Sequence, residues 1–220
     1  CPANGTNPIN GGSANKYQSE QDYDGDGPFP LRFQRHYNSV VRTPGSLGFN
    51  WRGTYDRSLS ISADGLSVKA FRHDGKAYDF TVSGTSGTPT ADIVDRLSAQ
   101  ADGTWKLTTA ANEVETYDTR GRLTSIANLA GIKQTLGYDT LNRLATVTGP
   151  FGRRLTFGYD TSNRIVSMTD PAGGVYTYGY DANNNLASVT QPDGDANAAN
   201  NPVRTYVYNE SANTSGANLP

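Results

Sequence analysis

Large and polar residues alternate along much of the second half of the chain. In Leu155-Thr156-Phe157-Gly158-Tyr159 the large side chains fall on every second position, the period of a strand with one covered face. Arg164-Ile165-Val166-Ser167-Met168-Thr169 is again suited to a strand. Between these runs lies Thr161-Ser162-Asn163, and after them Asp170-Pro171-Ala172-Gly173-Gly174. Both are turn chemistry, because Asp and Asn bond nearby backbone and Gly accepts tight reversals. The pattern predicts strand, turn, strand, turn: one β-hairpin per unit.

The unit recurs. Tyr117-Asp118 is followed by Arg122-Leu123, Tyr138-Asp139 by Arg143-Leu144, Tyr159-Asp160 by Arg164-Ile165, and Tyr180-Asp181 by Asn185-Leu186. Each tyrosine stands 21 residues after the last, and Gly131, Gly152 and Gly173 keep the same step, as do Pro150, Pro171 and Pro192. Hairpins at a fixed step predict an antiparallel ribbon in which neighbouring units bury a continuous face. A tyrosine at one place in every unit predicts a packing ladder across strands. Leu123 and Ile126 stand three apart, which breaks alternation and requires a bulge or a bend. From Tyr180 to Tyr208 the step lengthens to 28, with polar residues from Gln191 to Pro202 marking a surface insertion.

The first half reads more irregularly. Residues 1 to 27 are polar and rich in Gly and Asn, with few strand signals before Tyr17. Strands are predicted over Leu31–Tyr37, within Trp51–Ile61, and over Ser67–Phe71, Lys76–Val82, Leu97–Gln100 and Thr104–Thr108. Asp64-Gly65, Asp74-Gly75 and Asp102-Gly103 are hairpin pairs. Ser83–Pro89 reads as a mobile loop, and Asp92–Ala99 has room for one helical turn. The expected division is an N-terminal β domain over 1–110 and repeats over 111–220, sharing a continuous sheet across a soft boundary.

Composition agrees with β structure. The chain has 24 Gly, 11 Pro and 13 Tyr, with 18% charged residues; Tyr and Thr favour strands, while helix formers are scarce. Disorder is the rival reading of so much Gly, Ser and Asn, and the regular Tyr and Leu positions oppose it. A net charge of −2 and the lack of a basic run give no footprint for nucleic acid, and no apolar stretch is long enough to span a bilayer. Cys1 is the single cysteine, so no internal disulfide forms. It reads either as a lipidated cysteine exposed by signal cleavage or as a fragment boundary, the latter agreeing better with its surroundings.

Catalytic candidates are few. His36 and His73 are the only histidines, no nucleophile elbow surrounds a serine, and zinc would need more His or Cys. The expectation is a non-enzyme without cofactor. Calcium is the one metal weighed: Asp22, Asp24 and Asp26, followed by Gly27, occupy alternate positions as in a calcium loop. Against it, Phe33 stands where a bidentate Glu belongs, and no helix precedes the loop. Asp193, Asp195 and Asn197 share the spacing. The simpler reading of both clusters is a polar turn.

Tyr-Asp-x-x-x-Arg-Leu-x-x-Val at this spacing resembles the RHS, or YD, repeats of bacterial proteins. Asn7-Pro8-Ile9, Asp22, Pro30-Leu31-x-Phe33-x-Arg35-x-Tyr37-Asn38-Ser39, Leu47-Gly48-x-Asn50-Trp51 and Tyr55-Asp56-Arg57-Ser58-Leu59 are similar to the domain that commonly precedes them. Asn185 departs from the usual Arg. The resemblance implies an all-β fold, an arc of a spiral shell, in a large protein that is secreted or on the cell surface. In polymorphic toxins such a shell encloses a C-terminal toxic domain, delivered by a secretion or insecticidal toxin system. The implied partners are further repeats, that toxin and secretion-system components.

Size limits what this stretch does alone. A cargo of about 100 residues has a radius of gyration near ~13 Å, hence a diameter of roughly 34 Å. Wrapping it once takes about 22 strands at ~4.8 Å each, and four to five hairpins supply about eight to ten. The stretch is therefore an arc of wall. Two other functions fit the sequence: a Tyr-rich surface binding glycans or a partner cell, and a filament component pairing through open strand edges.

Overall fold

The computed structural model describes residues 15–41, 43–90, 92–195 and 197–208. Asn7-Pro8-Ile9, Cys1 and the stretch after Tyr208 lie outside them. Among the described residues the chain is almost entirely β. The first strands are β1 (Tyr17–Asp24), β2 (Arg32–Asn38), β3 (Pro44–Gly45), β4 (Gly48–Phe49) and β5 (Trp51–Gly53). Then follow β6 (Ser58–Ile61), β7 (Ser67–Phe71), β8 (Ala77–Ser83), β9 (Ser86–Pro89), β10 (Arg96–Ala99) and β11 (Trp105–Thr108). The repeats hold β12 (Val114–Tyr117), β13 (Leu123–Ala127), β14 (Lys133–Tyr138), β15 (Leu144–Thr148), β16 (Arg154–Tyr159), β17 (Ile165–Thr169), β18 (Val175–Tyr180) and β19 (Leu186–Thr190). A 3-10 turn (Ala198–Asn200) and β20 (Val203–Thr205) complete the described chain.

From β6 to β20 every strand pairs antiparallel with its neighbours in sequence, giving one 15-stranded sheet. It runs unbroken through the expected boundary, since β11 pairs with β12. The sheet bends back on itself: the Leu59 N–H of edge strand β6 donates to the Gly121 carbonyl at 2.8 Å, and Ser58 bridges Arg122. Strands β1, β2 and β5 form a separate three-stranded sheet. It packs on the buried face of the ribbon, with Phe33 5.2 Å from Phe157 and 6.4 Å from Tyr178 between ring centres.

The irregular spacing of apolar landmarks comes from a bulge. In each unit the register shifts beside the tyrosine: Gly137 pairs Thr146 but Tyr138 pairs Leu144, and the same step recurs beside Tyr117, Tyr159 and Tyr180. The extra residue puts Leu123 with Ile126, and Leu186 with Val189, on the buried face. Packing at the bulge explains the glycine before three of the tyrosines. A Cβ on Gly137 would stand 2.7 Å from Thr146 Oγ1, and one on Gly158 or Gly179 would collide with Ser167 or Ser188.

Two expectations fail. Ser83–Pro89 is not a mobile loop: Ser86–Pro89 is β9, paired with β8 on one side and β10 on the other. Its small side chains hide the alternation, and backbone pairing carries it. Asp92–Ala99 holds no helical turn; Arg96–Ala99 is β10, and Asp95 Oδ1 accepts the Ala110 N–H at 2.9 Å, tying the approach to the next turn.

Candidate functional site

The repeat-defining residues form one interlocking device. Within a unit the Asp closes its own turn. Asp139 Oδ1 accepts the N–H groups of Leu141 and Arg143, both at 2.9 Å, and Oδ2 takes Arg143 Nε at 2.8 Å. Asp118 and Asp160 do the same with Arg122 and Arg164. Desolvation works to raise the carboxyl of Asp160, but the N–H and guanidinium of Arg164 outweigh it and hold it below its usual range.

Between units the Arg reaches forward. Arg122 Nη1 donates to Asn142 Oδ1 at 2.6 Å, Arg143 to Asn163 at 3.2 Å and Arg164 to Asn184 at 3.0 Å. The same guanidiniums lie over the next tyrosines, 5.0, 4.6 and 4.2 Å above Tyr138, Tyr159 and Tyr180, within cation–π range. Each tyrosine reaches back. The hydroxyls of Tyr138, Tyr159 and Tyr180 donate to the carbonyls of Leu123, Leu144 and Ile165 at 2.7, 2.9 and 2.6 Å. Tyr208 donates to Leu186 at 2.8 Å despite the lengthened step. Asn142, Asn163 and Asn184 also adopt positive φ, 62°, 61° and 67°, a conformation Asn tolerates better than most residues. Sequence reasoning read the tyrosines mainly as packing and Asn163 as a turn residue, and missed the bond each Arg makes to the asparagine of the next unit; the asparagines' shared 21-residue step was the available signal.

The two end units differ in a consistent way. The first carries Gly121 in place of the asparagine, with φ 78°, and a Cβ there would run into the Leu59 carbonyl. Only glycine admits the β6 edge at this point. The fourth carries Asn185, whose Nδ2 still bonds Asp181 Oδ2 at 2.9 Å. The turn survives, while the arm that would cover Tyr208 is missing.

Two buried ionic clusters fasten the remainder. Glu115, fully buried, accepts Arg72 through both carboxylate oxygens, at 2.6 and 2.7 Å, and also binds Arg57 and the Tyr117 hydroxyl. Burial alone would raise its pKa, but the Arg72 and Arg57 guanidiniums bring it down to about 2. Arg35, 1% exposed, holds Asp22 at 2.7 and 2.9 Å and Glu20 at 2.9 Å, and donates to the Tyr206 hydroxyl at 2.9 Å. Tyr178 completes the cluster by donating to Asp22 Oδ2 at 2.9 Å. This network joins β1 and β2 to β18 and to Tyr206, just beyond β20.

Of the two readings weighed for Asp22, Asp24 and Asp26, calcium loop or polar turn, the structure places only Asp26 in a loop. Asp22 and Asp24 lie on strand β1 instead of a loop, with a register shift between Gln21 and Tyr23. Both oxygens of Asp22 are engaged by Arg35. Asp24 pairs with Arg32 at 2.6 Å, and Asp26 stands exposed in the following loop. The three do not converge. Asp193, Asp195 and Asn197 cap successive backbone N–H groups of their own loop. Among the described residues no group of three His, Cys, Asp or Glu could hold a metal ion, and no helix is long and apolar enough to cross a membrane.

An open ribbon of like hairpins, three of them latched to the next by Arg, Asn and Tyr, defines a β-hairpin-repeat scaffold. Residues 117–154, 138–175 and 159–196 match the family model described as RHS Repeat, and residues 6–80 match a domain of unknown function, DUF6531. Residues 117–196 are thus a run of RHS repeats. Among curated proteins no sequence matches it. Among solved structures it is similar to TcdB2-TccC3 without the hypervariable C-terminal region, at 14% identity and a TM-score of 0.35, over 88% of this chain and 11% of that one. It is similar to TcdB2-TccC3-Cdc42 at 14% identity and a TM-score of 0.35, over 89% and 12%. For the Photorhabdus luminescens Tc holotoxin pore the values are 14%, 0.34, 88% and 11%. The chain thus spans little more than a tenth of those chains.

Proposed function

We propose that this chain is a non-catalytic wall segment of an exported bacterial RHS-repeat protein whose completed wall houses or presents a C-terminal toxin. The forward-reaching Arg latch carries the reading. It links the first three hairpins to their successors by the same contacts, a rule that would serve a wall of any length. The buried Arg35 and Glu115 clusters and the sheet of β1, β2 and β5 would stiffen the first turn of that wall. The partners in this reading are the further repeats, the enclosed domain and the machinery that exports the parent protein.

Limited proteolysis of the full-length parent chain tests it. The segment beyond the repeats is expected to resist cleavage in native buffer and to be cut once urea melts the ribbon. If that segment is digested natively as fast as it is in isolation, the enclosing role is wrong.

A further inference from the structure

His36 and His73 take no part in the latch, yet they face each other where two sheets meet. His36 lies on β2 and His73 in the turn between β7 and β8. Their ring centres are 4.7 Å apart at an interplanar angle of 65°, an edge-to-face contact favourable between neutral rings. Around them the turn is seated on the sheet: Asn38 Nδ2 donates to the Asp74 carbonyl at 2.9 Å, and a Cβ on Gly75 would stand 2.5 Å from Val41. His36 is 5% exposed. Its Nδ1 shares a hydrogen bond with the Tyr17 hydroxyl at 2.8 Å. His36 Nε2 and His73 Nδ1 are buried without a hydrogen-bond partner.

We propose that this pair is an acid-released catch: neutral, the two imidazoles hold the β7–β8 turn against the three-stranded sheet, and protonated, they drive the two apart. Once protonated from solvent, each imidazole carries an N–H at both nitrogens, the orphaned one included, and two like charges stand in ring contact. At His73 the charged surroundings oppose protonation further, whereas at His36 the pull of Asp74 outweighs the push of Arg57. Arg57 disfavours the charged form of both rings and Arg72 that of His73. Arg52 stands opposite His36 on β5. Asp74 alone favours the charged forms, and it is already paired with Lys76 at 3.2 Å; the Tyr17 hydroxyl, neutral in this range, stands on β1. Burial, against the pull of Asp74, holds His36 down at about 4, and burial followed by Arg57 holds His73 at about 3. In the opened state both return toward 6.5. A lowered imidazole pKa therefore contributes closure in full above 6.5 and loses it progressively as pH falls toward 4 and 3.

Hydrogen–deuterium exchange of the full-length chain, corrected for intrinsic rates, reads the catch. Between about pH 7.5 and about pH 5, peptides spanning Arg32–Asn38 and residues 72–76 are expected to open at least about ten-fold more often, while β14 to β17 hold. Unchanged protection in those peptides overturns the proposal in the native chain alone. His73→Gln is expected to lose most of the acid response, and His36→Gln serves if that variant does not fold. A variant that folds and keeps the full response would assign the effect to other groups and overturn the proposal.

Discussion

At the scale of single residues, Glu115 has the most at stake. Its carboxylate compensates Arg72 and Arg57, which are nearly buried themselves. Glu115→Gln would leave Arg72 without its paired carboxylate and Arg57 with Glu113 alone, at 3.8 Å, and removing one partner of a buried ion pair costs about 3–5 kcal/mol. Urea unfolding at neutral pH should show a loss of that order. The sign with pH follows from its lowered pKa. The stabilisation is complete above the ordinary value of 4.5 and disappears as pH falls from 4.5 toward 2. The variant should lack that acid-side loss. None of this was legible in the sequence. Glu115 sits in a run that reads as an ordinary strand, and its partners are 43 and 58 residues away along the chain. Spacing likewise shows that Asp22, Asp24 and Asp26 are near one another in sequence, and not that Arg35 engages both oxygens of Asp22.

At the scale of one hairpin, the arginine arm is the contact that joins units. Arg143→Lys keeps the charge but loses the planar fork that serves Asp139 and Asn163 together and the stacking over Tyr159. The expected loss is about 1 kcal/mol, because the group is partly exposed and solvent screens it. Thermal or urea unfolding would measure it. The hairpin was legible in the sequence because its turns use Asp, Asn and Gly where the backbone demands them, and its strands alternate. The bulge was legible only as a misfit in spacing, and the forward reach of the arginine was not, since strand pattern specifies a face and not a neighbour. β9 escaped notice because Ser, Gly and Thr carry no apolar signal.

At the scale of the whole molecule, the ribbon tolerates the lengthened fourth unit because its extra residues sit outside the ladder. The Gln191 N–H still bonds the Pro202 carbonyl at 3.0 Å, as Asp170 bonds Gly174 at 2.9 Å in the regular unit. Deleting Asp195–Asn201 would join Pro192-Asp193-Gly194 to Pro202 and restore the 21-residue step, with Gly194 already at φ 90°. Loop shortening of this size changes closure entropy little, so the deletion should shift stability by less than about 1 kcal/mol in urea titration. A larger loss would show that the insertion braces the sheet. The continuous sheet and its repeat period were readable from tyrosine positions alone. The seat of the three-stranded sheet on the ribbon was not, because it depends on contacts such as Trp51 Nε1 donating to the Tyr208 hydroxyl at 2.8 Å, 157 residues apart.

That seat has a consequence for how such genes change length. Tyr55 donates to Gln134 Oε1 at 3.1 Å, and Phe33, Arg35 and Trp51 meet Phe157, Tyr206 and Tyr208, so the opening repeats are each matched to a particular partner upstream. Duplicating or losing twenty-one codons among them would put the wrong unit against each partner. A hairpin that answered only to its immediate predecessor would keep every joint intact after the same copying error.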